Sequence, residues 1–293
     1  MNFLKRKYYK LLIKLLRLRE GNDEKITILQ YLIKNNHRPN LKNPKELTEK
    51  LLWLKLNYYK ENYGDFVDKY EVRNYVEKKI GKEYLNELYG VYDSVSQINF
   101  ETLPNQFVLK GTHGSGYNII VEDKSKLNIK QTKRKLNHFL SQNYYNKFQE
   151  AIYKNVKPRI VTEKYISKID DNPVVEYKIF CYHGEPKYIF AEKKESNSIQ
   201  KCFYDLEWNK ILPQKESPIF TKSNFMKPNN LEKILEVATK LSEGFIFMRV
   251  DLYSVGNKIT FGELTFFSSA GLIKSKIERF NTEYAKLIQL PNL

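Results

Sequence analysis

An α+β fold with a helical N-terminal region is predicted by three observations. Through most of the first 80 residues, apolar side chains recur at helical spacing. Short β-prone runs bounded by turn residues then appear at 107–121, 158–167, 174–206 and 245–266. Helical patterns return between and after them, at 128–147, 231–242 and 274–287. No internal repeat or low-complexity linker divides the 293 residues, which suffice for a large core or for two to three subdomains.

Residues 1–18 carry six cations and no acid. On a helical wheel Arg6, Lys7, Lys10, Lys14 and Arg17 lie to one side, with Leu4, Tyr8, Leu11, Leu12, Leu15 and Leu18 on the other. Such a helix either docks on the domain through its leucine face or lies on an anionic inner membrane leaflet. A second helix is predicted over 25–34. A third begins at Asn43, where Asn-Pro-Lys-Glu offers an N-cap, a proline at the first helical position and Glu46 at the third. Its Leu51, Leu52, Trp53 and Leu56 form a core stripe. A fourth helix over 68–80 places Lys69 and Arg73 on one face.

The run 107–121, FVLKGTHGSGYNIIV, reads as strand, glycine-rich loop, strand. Lys110 ends the first strand, and Gly111, Gly114 and Gly116 lie in the loop. A Walker loop would need Lys-Ser/Thr after its last glycine, and a dinucleotide loop would need a helix there. A flap that closes its backbone N–H groups over a phosphate fits better, with Lys110 adding a point charge. His113 is either a further phosphate donor or an ordinary loop histidine. The strand within 158–167 ends in Glu163 and Lys164, ahead of Tyr165 and Ile166. Antiparallel strands follow at 174–183, 187–192 and 201–206. Lys178 interrupts an apolar run there and requires an anionic partner. Asp205 and Glu207 are either nucleotide-sugar metal ligands or solvated turn acids.

Near the end, FMRVDLYSVGNKITFGELTFF (247–267) reads as a hairpin about Gly256-Asn257. Asp251 and Glu263 each interrupt an apolar strand. A buried carboxylate costs several kcal/mol unless a cation meets it. Two on neighbouring strands suggest one shared hard cation, for which magnesium with phosphate is the usual case. A strict two-residue loop would oppose Asp251 to Gly262 and turn Glu263 away. A loop of odd length is therefore predicted, bringing Arg249, Asp251 and Glu263 to one face. The competing reading is an edge hairpin with solvated acids.

Net charge of +16 admits nucleic acid, an anionic membrane surface or polyanionic small molecules and glycans as partners. No nucleic-acid module accompanies the charge, so nucleic acid is not expected. Cys181 and Cys202 sit in apolar strands and read as buried free thiols of a cytoplasmic protein. The longest early apolar run, 11–18, is broken by Lys14 and Arg17, so neither signal peptide nor spanning helix is expected.

Six motifs in order then carry a resemblance. They are DKYEVRNYV (68–76), FVLKGTHGSG (107–116), EKYI (163–166), EYKIFCYHGEPKYI (176–189), FYDLEW (203–208) and RVDLY…FGELTF (249–266). Across nearly its whole length the chain resembles the TupA-like branch of the ATP-grasp superfamily, associated with teichuronopeptide and other surface-glycan biosynthesis. The resemblance implies two α+β subdomains gripping a nucleotide. Residues 1–60 would be helical and 61–105 an associated segment. A lid would span 106–166, and a metal- and nucleotide-binding subdomain 167–293.

It further implies that Lys110 contacts the nucleotide phosphates beneath a flap of His113, Gly114, Ser115 and Gly116, with Arg73 as an earlier cation. Glu163, Lys164, Tyr165 and Ile166 would form the adenine hinge, and Lys178 would join the nucleotide-binding set. Arg249 would meet the transferring phosphoryl group. Asp251 and Glu263 would ligate Mg2+, with Thr265 where many relatives carry an asparagine ligand. The implied reaction is ATP- and Mg-dependent joining of a carboxylate to an amine through an acyl phosphate, on an acidic surface glycan or its precursor. The alternatives are a glycosyltransferase using Asp205 and Glu207, or a phosphotransferase acting on a sugar hydroxyl. The implied location is cytoplasmic, with the inner membrane face as a peripheral site.

Overall fold

The computed structural model describes residues 2–166, 168–169, 172–195, 198–213, 220, 222–255 and 257–292. Helix α1 (Phe3–Leu16) is capped by Asn2, whose side chain accepts from the Lys5 amide at 2.9 Å. It packs on α2 (Asp23–Asn35) through buried Ile13, with Tyr9, Leu12 and Leu16, against Ile26 and Leu29. The expected docking through the leucine face is therefore corrected. α1 is apolar on two arcs, and only the arc of Tyr9, Leu12, Ile13 and Leu16 meets α2. Leu4, Leu11, Leu15 and Leu18 remain 75%, 58%, 55% and 79% exposed.

Helix α3 (Leu47–Asn57) starts later than its Asn-Pro signal predicts. Glu49 draws three amides into its carboxylate: Asn40 at 2.7 Å, Lys45 at 3.0 Å and Glu46 at 3.1 Å. Residues 40–46 are thereby held as a cap, and Glu46 becomes the capping residue. After the short α4 (Gly64–Val67), helix α5 covers only Val72–Ile80. Asp68 accepts from the amides of Tyr70 and Glu71, which makes 68–71 a turn and takes Lys69 off the helix that carries Arg73.

Strands β1 (Leu88–Tyr92), β2 (Phe107–Gly111), β3 (Asn118–Val121) and β4 (Ile160–Lys164) form an antiparallel sheet ordered β1-β4-β2-β3. Alternation along β2 sends Phe107 and Leu109 into a core with Leu136 of α6 (Ile129–Leu140). Val108 and Lys110 point the other way, into a cleft. The helix predicted over 128–147 ends at Leu140 and resumes only as α7 (Tyr145–Phe148). Between them Tyr144 turns inward against Tyr117 and Tyr153.

A small ladder of β5 (Lys168–Ile169) and β6 (Asn172–Pro173) precedes the larger sheet. That sheet holds β7 (Val175–Tyr182), β8 (Glu185–Glu195), β9 (Ser198–Tyr204), β10 (Lys210–Ile211), β11 (Phe247–Val255) and β12 (Lys258–Thr265). Its order is β10-β9-β8-β7-β11-β12, antiparallel throughout. His183 and Gly184 take φ of 49° and 82° in the two-residue turn joining β7 to β8, as the twist of a tight hairpin requires. Helix α8 (Leu231–Ser242) covers one face, where Ile234, Val237 and Leu241 pack with Ile179, Val250 and Leu252. Each such side chain contributes about 1.5–3 kcal/mol on burial. Part of the opposite face is closed by α9 (Glu278–Lys286), whose Phe280 stacks on Tyr188 at 4.2 Å.

The closing hairpin departs from its predicted register in an instructive way. Val255 pairs with Lys258, so the loop has two residues and not an odd number; Gly256 itself lies outside the described residues. Register shifts further down: Leu252 faces Phe261, yet Asp251 faces Glu263. The extra residue is Gly262, a bulge in β12. A Cβ there would lie 2.9 Å from the Asp251 carbonyl oxygen, so the close approach demands glycine. The acids do share a face, through a bulge and not through the loop.

Candidate functional site

With that bulge in place, strand alternation builds a charged row across the face opposite α8. Asp251 sits between Lys178 of β7 and Glu263 of β12. Arg249 is aligned with Thr265, and Tyr253 with Glu176. Arg249 grips Asp251 with two bonds of 2.6 Å, Nε to Oδ1 and Nη2 to Oδ2. The same Nη2 reaches Glu263 Oε1 at 3.2 Å, and Thr265 Oγ1 donates to that oxygen at 3.3 Å. Lys178 Nζ is 2.5 Å from Glu176 and 3.6 Å from Asp251. This supplies the anionic partner that a buried lysine required.

The two acids are not equivalent. The Asp251 side chain is 1% exposed and both oxygens are held by Arg249, whereas the Glu263 side chain is 41% exposed to the cleft. Burial pushes the Asp251 carboxyl up to about 6 despite Arg249 and Lys178. Burial acts upward on Glu263 too, but Lys69, Arg249 and Lys178 outweigh it and hold that carboxyl below its ordinary range. Among the described residues no group of three or more His, Cys, Asp or Glu converges as a metal cage. The donor set nonetheless fits magnesium, which takes one or two carboxylates and completes its shell with phosphate oxygens and water. Glu263 could ligate directly; Asp251 could do so only as Arg249 yields one of its bonds.

Facing this row is the smaller sheet. Lys110 Nζ lies 2.6 Å from Glu163 Oε2, and Arg73 Nη1 3.5 Å from Glu163 Oε1. Arg73 also donates to the Asn86 carbonyl at 2.9 Å. Both cations therefore rest on one carboxylate at the edge of the cleft. Arg159 holds the supporting turn in place, bonding Asp68 at 3.0 Å and Glu71 at 2.7 Å. Lys164, Tyr165 and Ile166 line the cleft; Lys164 Nζ lies 3.4 Å from Glu87, and the Tyr165 hydroxyl donates to Glu122 at 2.9 Å.

The loop between β2 and β3 is closed by the Gly111 amide bonding the Tyr117 carbonyl at 2.8 Å. Lys69 Nζ donates to the Gly114 carbonyl at 2.5 Å. A Cβ on Gly114 would strike Tyr144 at 2.6 Å, so glycine lets the flap tip sit against that ring. Ser115 and Gly116 line the cleft. His113 does not: it is 3% exposed, and its Nε2 is 2.9 Å from the Phe139 carbonyl on α6. The expectation that it donates to phosphate is corrected, because burial against Tyr117 and Phe139 turned its ring into the core.

A cleft of about 950 Å³ joins Lys110, Glu163, Tyr165 and Ile166 on one wall to Lys178, Glu176 and Glu263 on the other. A second cavity of about 300 Å³ shares Lys69, Ser115, Gly262 and Glu263 with it and extends past Arg249. Lys69, Glu176 and Glu150 therefore belong to the site region although sequence reasoning assigned them no role. Only Lys69 carried a signal, as a cation near Arg73. Asp205 lies elsewhere and shapes its own turn, accepting from the Asn209 amide at 2.7 Å and side chain at 3.0 Å. That is a turn-forming role, not a chelate for a nucleotide sugar.

A family described as TupA-like ATPgrasp matches residues 49–288. Among solved structures, D-alanine–D-alanine ligase from Helicobacter pylori is similar at 14% identity and TM-score 0.40, over 77% of this chain and 61% of that one. The ATP-grasp ligase PsnB, solved with its minimal precursor, is similar at 7% identity and TM-score 0.43, over 82% and 66%. N5-carboxyaminoimidazole synthase from Aspergillus clavatus is similar at 12% identity and TM-score 0.42, over 83% and 58%. The chain thus spans about three fifths to two thirds of the length of these proteins. No curated protein matches it.

Proposed function

The chain belongs to the TupA-like ATP-grasp family, and from that premise we propose that it is an ATP- and magnesium-dependent carboxylate–amine ligase. The observation that carries this reading is the cleft between the two sheets, with Lys110 and Arg73 on one wall and Lys178 and Glu263 on the other, where Arg249 bonds both Glu263 and the buried Asp251 that pairs with it. Its volume is within the range of small-molecule and cofactor sites. Phosphates would draw Lys110 and Arg73 away from Glu163, beneath the flap of Gly114 to Gly116. The 163–166 segment would hold the base, and Lys178 would stay with the acids. Glu263 and Asp251 would hold magnesium, with Thr265 bonding Glu263, and the ion would supply neutralisation of the phosphate charge. Arg249 would stabilise the phosphoryl group as it passes to the acceptor carboxylate, and the closed flap would exclude water from the acyl phosphate. The working division is a helical 1–60, an associated 61–105, a lid at 106–166 and a C-terminal unit at 167–293. The pairing of β1 with β4 supports drawing β1 into the lid.

The basic balance supports an acidic glycan or sugar acid as the acceptor. The exposed leucine arc of α1, bordered by Lys7, Lys10, Lys14 and Arg17, supports peripheral attachment to an anionic membrane surface. No described helix is long and apolar enough to cross a membrane. The test is incubation with ATP, magnesium, hydroxylamine and a panel of uronic acids. A ligase forms a hydroxamate with release of ADP. A phosphorylated sugar without hydroxamate would favour the phosphotransferase, and turnover of nucleotide sugar without ATP the glycosyltransferase.

A further inference from the structure

The smaller cavity opens beside Arg249 and Glu263 and is walled by two segments, 144–153 and 264–273. Rings dominate it: Tyr144, Phe148, Tyr153, Phe66, Phe266 and Phe267. Tyr144 and Tyr153 meet edge to face at 4.6 Å. Among these rings lies one carboxylate, Glu150, in a residue only 5% exposed. Among the described residues its side chain makes no hydrogen bond and no ion pair. A buried carboxylate without a partner is costly, and it indicates a group for which something else supplies the positive charge.

The adjacent cation does not discharge that role. Lys55 is 1% exposed, and its Nζ is committed to the Phe148 carbonyl at 3.0 Å and the Ala270 carbonyl at 3.2 Å. It acts on Glu150 only through space, while binding both cavity walls together. The second wall is itself unusual. Ser269, Ala270 and Gly271 take φ of 53°, 56° and 70°, three left-handed residues in succession. For the two non-glycines this backbone is strained, and such strain concentrates at ligand sites.

We propose that this cavity binds the amine co-substrate as a compact primary ammonium, with Glu150 as its counter-ion and the rings of Tyr144 and Tyr153 as its walls. The inference rests on the ligase reading and names the site for the second substrate of that reaction. Its volume suits a molecule of amino-acid size, and an ammonium among aromatic faces gains cation–π attraction where water is excluded. The cavity's continuity with Glu263 and Arg249 brings such a molecule to the acids that would hold the metal. An ammonium must shed one proton before its nitrogen can attack. Burial raises the affinity of Glu150 for that proton against the pull of Lys55, so the proton passes from nitrogen to the Glu150 carboxylate, which becomes neutral.

The experiment uses the full chain with magnesium and ADP. Saturation-transfer NMR is run with methylamine, ethanolamine, putrescine, glycine and L-lysine, each paired with its N-acetylated form. Nucleotide affinity is measured in parallel with a fluorescent ADP. At least one free amine should bind, its acetylated form should not, and Glu150→Gln should weaken the amine at least tenfold while leaving ADP affinity unchanged. Binding of no amine, equal binding of acetylated forms, or undiminished binding in Glu150→Gln overturns the inference and leaves the ligase reading standing if ADP still binds. Failure of the wild type to bind ADP removes the ligase reading and this site with it. Should Glu150→Gln not fold, the wild type provides the test. Glu150 interacts electrostatically with Lys55, Tyr144 and Tyr153, the cavity lining also carries Lys34, Lys69, Arg249 and Glu263, and burial pushes its own carboxyl up to about 7. Amine affinity should fall at least fivefold from pH 8 to pH 6, and a flat profile overturns the assignment.

Discussion

Replacing Asp251 and Glu263 by their amides separates the structural part of the site from its chemical part. Asp251 is 1% exposed and takes two 2.6 Å bonds from Arg249. Removing one partner of a buried ion pair costs about 3–5 kcal/mol. Asparagine keeps one acceptor, and Arg249 keeps Glu263 at 3.2 Å, so the lower end, about 3 kcal/mol, is expected for Asp251→Asn. At about 2–4 °C per kcal/mol for a chain of this size, melting falls by about 6–12 °C. Glu263 is 41% exposed with one long bond to Arg249, so Glu263→Gln should cost at most about 1 kcal/mol. On the proposed function magnesium and nucleotide should raise the melting temperature of the wild type, and both variants should lose that rise. Thermal unfolding at fixed pH, with and without magnesium–ADP, measures both quantities. Equal melting losses in the two variants would refute the assignment of unequal burial. A full magnesium-dependent rise in Glu263→Gln would refute its place at the metal.

Gly262→Ala should cost about 1–3 kcal/mol by overpacking, since its Cβ would lie 2.9 Å from the Asp251 carbonyl. It should also weaken magnesium-dependent ADP binding without touching either ligand, and unchanged binding would mean that the bulge does not set the site. Lys110→Ala should raise the ADP dissociation constant at least tenfold; it also takes the 2.6 Å partner from Glu163, whose side chain is 8% exposed, and leaves Arg73 at 3.5 Å, so melting should fall as well; an unaltered constant would remove Lys110 from the phosphates. Burial lifts the folded-state Glu150 carboxyl from 4.5 to about 7. Its proton-linked stabilisation is therefore fully present below about pH 4.5 and lost as pH rises through about 7. Chemical denaturation across that window should show wild type losing stability relative to Glu150→Gln, and parallel profiles would contradict it. Leu11→Glu with Leu15→Glu should abolish pelleting with anionic vesicles while leaving melting unchanged, as these side chains are 58% and 55% exposed; persistent pelleting would exclude the leucine arc.

Much of the architecture was legible because its causes are local. Apolar, β-prone runs bounded by turn residues in 174–206 and 245–266 marked the strands of the larger sheet, and Lys110 before a glycine loop marked the hairpin of β2 and β3. The helix over 231–242 carries its apolar stripe in its own spacing. Helix starts were less legible wherever a carboxylate from outside the helix or within it recruited amides, as Glu49 and Asp68 do. His113 was ambiguous for a similar reason: its fate depended on Phe139, 26 residues away.

By itself the sequence determined that two acids interrupt neighbouring apolar strands, and that an arginine two residues before the first would share its face. Those are period-two facts, carried by residues adjacent in the chain. Tertiary structure alone decided that Gly262 bulges to bring the acids opposite each other, and that Lys110 and Arg73 rest on Glu163. It also decided that Glu150 stays buried without a bonded partner among the described residues, and that α1 presents Leu4, Leu11 and Leu15 outward. Each of these depends on which distant surface a side chain meets, and that is settled by packing between elements and not by the spacing within one.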